Sequence, residues 1–279
     1  MDSATVINAL TIDVEDYFQV SAFAPHIPRS EWPTRECRVE RNVDRILAML
    51  DQHGTHATFF TLGWVAERYP ALVRRIVAEG HELASHGYDH TRVHNFTPEQ
   101  FRADVVRTKA VLEDIGGVQV RGYRAPSYSI NAKNLWALDV LQETGHVYSS
   151  SIYPIRHDLY GMPDAPRFPF RFRPDGILEI PVTTVRMGGR NYPCGGGGYF
   201  RLLPYGAFRW MLARVNEQDR QSGLFYFHPW EVDPGQPRVK GAPLKSRFRH
   251  YLNLDSMASR LERLLGDFSW GRMDEVFGA

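Results

Sequence analysis

Residues 79–90 read EGHELASHGYDH, and two of the three histidines, His86 and His90, stand four positions apart. Taken alone, such a pair is modest evidence for a metal, because imidazoles also end strands as ordinary hydrogen-bonding groups. A carboxylate from a different strand end changes the reading. Two imidazoles and one carboxylate fill three positions of a zinc-like site and leave room for water and substrate. A closed structural site would want a fourth protein ligand, usually a thiolate, and neither Cys37 nor Cys194 lies near these segments.

The stretch TIDVEDYF supplies three carboxylates, Asp13, Glu15 and Asp16. In an extended segment Asp13 and Glu15 point to the same side, so one can bind a metal while the other takes a proton from water. A solvated acidic turn is the competing reading. RGYRAP places Arg121 and Arg124 beside a proline-stiffened turn. A guanidinium there can hold a catalytic carboxylate ionised and oriented, or it is a surface arginine, above all for Arg121. FYFHPWE puts His228 straight after an apolar run. It can act as a general acid there, or sit as an interior histidine bonded to backbone. Trp230 forms a sugar-stacking wall or part of the core. CGGGGYFR, 194–201, lacks the GxxxxGK[ST] spacing of a phosphate loop and reads as a flexible loop bordering the cleft.

These residues need elements to position them. TVINALTIDV, HATFFTLG and HELASH read as strands, as does VRGYRAPSYS up to its loop. VDRILAMLDQHG carries Val43, Ile46, Leu47 and Leu50 at helical spacing and closes on Gly54. AERYPALVRRIVAEG reads as one helical stretch, and NLWALDVLQETG as another. TPEQFRADVVRTKAVLEDIGG opens on an N-cap Thr97 with Pro98 at the first helical position. The β-α-β-α alternation argues for parallel strands in an α/β barrel or open sheet, where ligands bind at the carboxyl ends of the strands. From about 154 the pattern turns irregular and rich in Pro and Gly, before a late strand GLFYFHPWE and a C-terminal helix LDSMASRLERLLGDF. With no repeat or clean linker, residues 1–279 read as one domain with an elaborated second half, about 154–279.

The charge balance, 33 basic against 32 acidic residues, gives no general attraction to nucleic acid or an anionic membrane. The apolar content of 43% excludes disorder. Two distant cysteines point to a reduced compartment or to thiols with no redox role. The N-terminal residues have no basic region followed by an apolar stretch, so the expectation is a cytoplasmic protein without a signal peptide or membrane anchor. Homo-oligomer formation stays open.

With these segments in hand, the chain resembles the polysaccharide deacetylases with NodB homology, carbohydrate esterase family 4. TIDVEDYF, ATFFTLG, GHELASHGYDH, RGYRAPSYS and FYFHPWE occur in the family's order over roughly residues 5–235. HPWE and GGGGYFRLLP look like the subgroup associated with bacterial exopolysaccharide and exosortase loci. The resemblance implies an irregular (β/α)7 barrel and one divalent ion, zinc first, with cobalt, nickel or manganese as alternatives. It implies Asp13 as general base, His86 and His90 as metal ligands, Arg124 as the residue orienting the base, and His228 as general acid. Pro126, Tyr128 and Trp230 are the implied carbohydrate-binding residues. The implied reaction is metal-assisted hydrolysis of an N-acetyl group, with a backbone N–H near Ser127 helping to stabilise the oxyanion. His81 is expected to be structural.

Two positions depart from the family pattern. Val14 stands where many relatives have the carboxylate ligand, which makes Glu15 the replacement and Asp16 the fallback. Ser149 stands where an aspartate is expected, which removes a charge that would support the arginine and base. A same-fold hydrolase of small cyclic amides and a non-catalytic sugar-binding protein are the alternatives. A non-haem iron oxygenase also uses two histidines and a carboxylate, but its usual carboxylate position is Tyr88 here.

Overall fold

The computed structural model describes residues 6–158 and 160–279. The strands are Ile7–Val14 (β1), Thr58–Thr61 (β2), Glu82–Ser85 (β3), Gly122–Tyr123 (β4), Tyr148–Ser149 (β5), Phe170–Arg171 (β6), Leu178–Glu179 (β7), Thr184–Met187 (β8), Arg190–Pro193 (β9), Leu224–Phe227 (β10) and Ser269–Gly271 (β11). The helices are Val39–Gln52 (α1), Gly63–Arg68 (α2), Pro70–Ala78 (α3), Pro98–Gly116 (α4), Trp136–Glu143 (α5), Gly197–Leu202 (α6), Tyr205–Arg214 (α7), Leu244–Tyr251 (α8), Met257–Asp267 (α9) and Met273–Phe277 (α10).

One sheet runs in the order β10-β1-β2-β3-β4-β5-β7-β6, with β11 beside the start of β1 and β8-β9 forming a separate hairpin. Neighbours along it are parallel except β6 and β7. Helices cover the sheet, so β1 and β2 are buried on both faces, as parallel strands must be. α1 lays Val43, Ile46, Leu47 and Leu50 against Ile12, Val14 and Phe59 of the strands. Every strand that leads into a chemistry-bearing segment therefore points its carboxyl end the same way.

The α4 signals act as the sequence suggests. Thr97 accepts from the Gln100 backbone while Gln100 bonds back to the Thr97 N–H, and Gly117 closes the helix in the left-handed conformation. Two elements differ from expectation. The stretch read as one helix is two, α2 and α3, because the residue before a proline is pushed out of the α region and Tyr69 adopts φ −129°, ψ 60° ahead of Pro70. The glycine run is not a flexible loop: Gly196 bridges to Tyr226 and α6 begins at Gly197. Among the described residues, no helix is long and apolar enough to cross a membrane.

Two buried histidines flank the sheet away from the site. His81 accepts from the Ala57 N–H at 3.2 Å, a structural contact. His146, which precedes β5, is buried against Tyr123, and burial, reinforced by Lys109, pulls its pKa down from 6.5 to about 4. The folded state thus favours the neutral ring. The stability this gives is complete above pH 6.5 and is lost as pH falls through about 4. His146→Gln should remove roughly 2 kcal/mol of the acid-induced loss between pH 7 and 5, as read from urea unfolding at the two pH values. Equal losses in wild type and variant would contradict this assignment.

Candidate active site

Glu15, His86 and His90 are all buried, and each offers one ligand atom within 4.8 Å of the others. Glu15 follows the end of β1, and His86 follows β3. His90 lies four residues on, after a turn through Gly87 at φ +73°, where a side chain would also crowd Asp104. His86 Nδ1 lies 2.8 Å from the Arg124 carbonyl oxygen. A carbonyl can only accept, so the ring proton sits on Nδ1 and Nε2 of the neutral ring keeps its lone pair. Burial holds the His86 pKa down at about 4, despite the carboxylates of Asp13 and Glu15, so that neutral ring persists. His90 Nδ1 is engaged by Ser21 Oγ at 3.2 Å, which turns its Nε2 to within 2.8 Å of Glu15 Oε2.

Glu15 Oε2 is buried and makes no hydrogen bond that satisfies distance and angle together. Burial alone would raise the Glu15 pKa, but His90, His228 and His86 outweigh it and hold the carboxyl well below its usual range. A charged oxygen and two imidazole nitrogens, each fixed by a partner on its far side, fit a divalent ion of the zinc type. Asp16 is not part of this group. Its Oδ2 accepts from the backbone N–H groups of Arg38 and Val39, at 2.5 and 2.9 Å, and so caps α1.

Asp13 sits near the carboxyl end of β1. Arg124, just past β4 and 0% exposed, donates from Nη1 to Asp13 Oδ1 at 2.5 Å and to Thr11 Oγ1 at 2.8 Å. Nη2 and Nε bond Ser150, and the guanidinium lies 4.0 Å from the Phe60 ring centre. The second Asp13 oxygen stays free of Arg124 and lies 3.9 Å from His228 Nε2. Arg121 does not reach this group; its carbonyl accepts from β5.

His228, just past β10, is oriented by a carboxylate that sequence reasoning only places nearby. Its Nδ1 lies 2.8 Å from Glu231 Oε1, and the other Glu231 oxygen accepts from Arg201 Nε at 2.7 Å. Arg201 escapes the sequence reading, because it falls in the segment read as a loop. It is buried on α6 and also donates to the carbonyls of Arg249, His250 and Leu252. A single arginine inside the apolar run GYFRLLP is the available signal. Gly197 completes the cradle, since a Cβ there would overlap the Glu231 carboxylate. Burial lowers the His228 pKa, but Glu15, Glu231 and Asp13 more than reverse this and raise it to about 9.

The remaining carbohydrate-binding candidates separate. Tyr128 lines the 160 Å³ cavity with Asp13, Glu15, His86, His90 and His228, and its buried hydroxyl has no hydrogen-bond partner. Trp230 also lines it, but its ring faces are covered by His228 and His250, at 5.0 and 4.0 Å, and Nε1 donates to Glu15 Oε1. No free face remains for a sugar, and the indole instead steadies Glu15. Pro126 is not among the cavity-lining residues; it starts the turn that presents Ser127 and Tyr128. His90, Ser127 and Tyr128 all have positive φ, so backbone strain is gathered at this cavity. Ser149 bonds Ser151 rather than Arg124, and a carboxylate, Glu179, lies in register beside it on β7.

A curled parallel α/β sheet with a Glu-His-His cluster and an arginine-bound aspartate at its carboxyl end defines the class. Residues 33–148 match the polysaccharide deacetylase family model, and residues 150–278 match a domain of unknown function, DUF3473. Residues 33–148 are thus similar to the polysaccharide deacetylases. A Bacillus cereus peptidoglycan-N-acetylglucosamine deacetylase is 34% identical over 96 residues, covering 34% of this chain and 35% of that protein. A Bradyrhizobium chitooligosaccharide deacetylase is 36% identical over 97 residues, covering 34% of this chain and 42% of that protein. The chain thus matches well under half the length of these relatives. A Mycobacterium smegmatis crystal structure assigned to the polysaccharide deacetylases superposes with TM-score 0.65 at 19% identity, over 98% of this chain and 88% of that one. This likeness shows the fold, an irregular (β/α)7 barrel.

Removing one partner of a buried ion pair leaves the other charge unpaired. Arg201→Met should therefore cost about 3–5 kcal/mol of unfolding free energy, measured by urea denaturation. A loss below about 1 kcal/mol, the range of exposed pairs, would show that Glu231 does not depend on Arg201.

Proposed function

We propose that the protein is a metal-dependent hydrolase that removes N-acetyl groups from an amino-sugar-containing polysaccharide or its precursor, in bacterial exopolysaccharide biosynthesis. The observation that carries this reading is the meeting in one cavity of the Glu15-His86-His90 cluster, the Asp13–Arg124 pair and the His228–Glu231 pair. The relatives named as N-acetylglucosamine and chitooligosaccharide deacetylases support the substrate class. The exopolysaccharide setting is supported by the GGGGYFRLLP and HPWE segments. We also read the chain as one domain, since β10, from the second family match, pairs with β1 and carries His228 into the site.

A divalent ion held by Glu15, His86 and His90, zinc first, would supply Lewis acidity and a water of lowered pKa. The rest is the work of the chain's own residues. Arg124 occupies one Asp13 oxygen and fixes the carboxylate in place, so the other oxygen takes the proton from the attacking water. Glu231 occupies His228 Nδ1, so Nε2 is the atom that delivers a proton to the departing amine. The Tyr128 hydroxyl, buried and unpartnered, is placed to bond the acetyl group or a sugar hydroxyl.

Acetate release from a panel of N-acetylated oligosaccharides tests this, with metal content read in parallel. Asp13→Asn should keep the metal and lose about 10²–10⁴-fold in turnover, the usual worth of a general base. His86→Ala should lose both metal and turnover. Acetate release that survives a chelator, or an Asp13→Asn enzyme of full activity, would contradict the mechanism.

A further inference from the structure

A cavity of about 1070 Å³ lies apart from the catalytic one. One wall is made by residues 154–156 and 163–168 and the other by the β8-β9 hairpin, with Tyr199 of α6 between them. Asn191 of the hairpin donates to the Pro154 carbonyl at 3.0 Å, so the two walls are joined and the cavity is preformed. Four arginines line it, Arg156, Arg167, Arg186 and Arg190, against one carboxylate, Asp164. Arg167 is committed to Asp219 and the Thr184 carbonyl, both at 2.7 Å. The other three are exposed, and their side chains make no hydrogen bond or ion pair among the described residues.

Exposed arginines are commonly solvated singly, but three unpaired guanidinium groups around one concavity form a field of one sign that draws anions in. Guanidinium groups also bind carboxylate and phosphate through paired hydrogen bonds. Tyr192 and Tyr199 add aromatic rings to the same lining. The cavity adjoins the catalytic site through a single segment: Pro154, Ile155 and Arg156 line the large cavity, while Tyr160, stacked on Tyr153 at 5.9 Å, lines the small one.

We propose that this cavity is a second saccharide-binding site that takes acidic sugar units, bearing a carboxylate or a phosphate, from the same polymer or precursor whose acetyl group lies in the catalytic cavity. Naming the ligand as a saccharide rests on the deacetylase reading; the preference for a negative charge rests on the arginines alone. The substrate is on this account an anionic glycan, unlike neutral chitin-type chains.

Calorimetric titration of the full chain tests this with three probes at low salt: a tetrasaccharide alternating glucuronate and N-acetylglucosamine, N-acetylglucosamine 1-phosphate, and neutral chitotetraose. The acidic tetrasaccharide or the sugar phosphate should bind about tenfold more tightly than chitotetraose, the gain expected from a charge-assisted hydrogen bond. Whichever of the two binds identifies carboxylate or phosphate as the recognised group. The variant R156A/R186A/R190A should abolish the preference, whereas His86→Ala should keep it. Equal binding of acidic and neutral probes, or an unchanged preference in the triple variant, would overturn the proposal. So would an oligonucleotide bound more tightly than either acidic saccharide with the same arginine dependence. If no probe releases acetate while the arginine-dependent preference persists, the deacetylase reading fails and the anionic site stands. Acetate release without that preference overturns the anionic site and leaves the deacetylase reading standing.

Discussion

Arg124 has no access to water, and a buried guanidinium is tolerated only when it is paired and its donors are occupied. This constraint organises the centre of the molecule. Asp13 supplies the opposite charge from β1, while Thr11 and Ser150 take further donors from β1 and from the chain just past β5. The same residue's carbonyl fixes the proton of His86 on Nδ1. One arginine at the end of β4 therefore sets the free oxygen of the proposed base and the free nitrogen of a proposed metal ligand. Both groups are held from behind, on the side away from the cavity.

A second buried pair, Arg201–Glu231, does the equivalent work for His228. It comes from the part of the chain that matches the domain of unknown function, and it reaches the site because β10 pairs with β1. Trp230 links the two halves, since it stacks on His228 and donates to Glu15. Ser149, where an aspartate would support Arg124 and Asp13, bonds Ser151 instead. Glu231 stands three residues from the histidine, and Glu179 lies beside Ser149 across the sheet.

Residues that end strands are legible in the sequence, because a buried parallel strand is a short apolar run and its first polar residues mark the ligand-facing edge. Asp13, His86, Arg124 and His228 fall in this group, as does the alternation that gives the fold. The choice between Glu15 and Asp16 is weaker from sequence alone. It depends on α1, whose N-cap Arg38 brings no capping side chain of its own and draws Asp16 away. Arg201 is hidden for a related reason. Four consecutive glycines suggest a loop, yet here they permit a close approach to Tyr226 and Glu231 at the start of a helix. The free ring face expected of Trp230 is lost to His250, whose position on α8 depends on packing between distant segments.

The central claim is that Glu15, His86 and His90 form one metal centre. Anomalous diffraction above and below the zinc edge, from crystals grown with the ion, tests it most directly. The account predicts a single strong anomalous peak bonded to those three side chains, with Asp13 beside it and still held by Arg124. A zinc-saturated crystal with no peak there, or with its peak at other residues while Glu15 and His90 remain in direct contact, would contradict it.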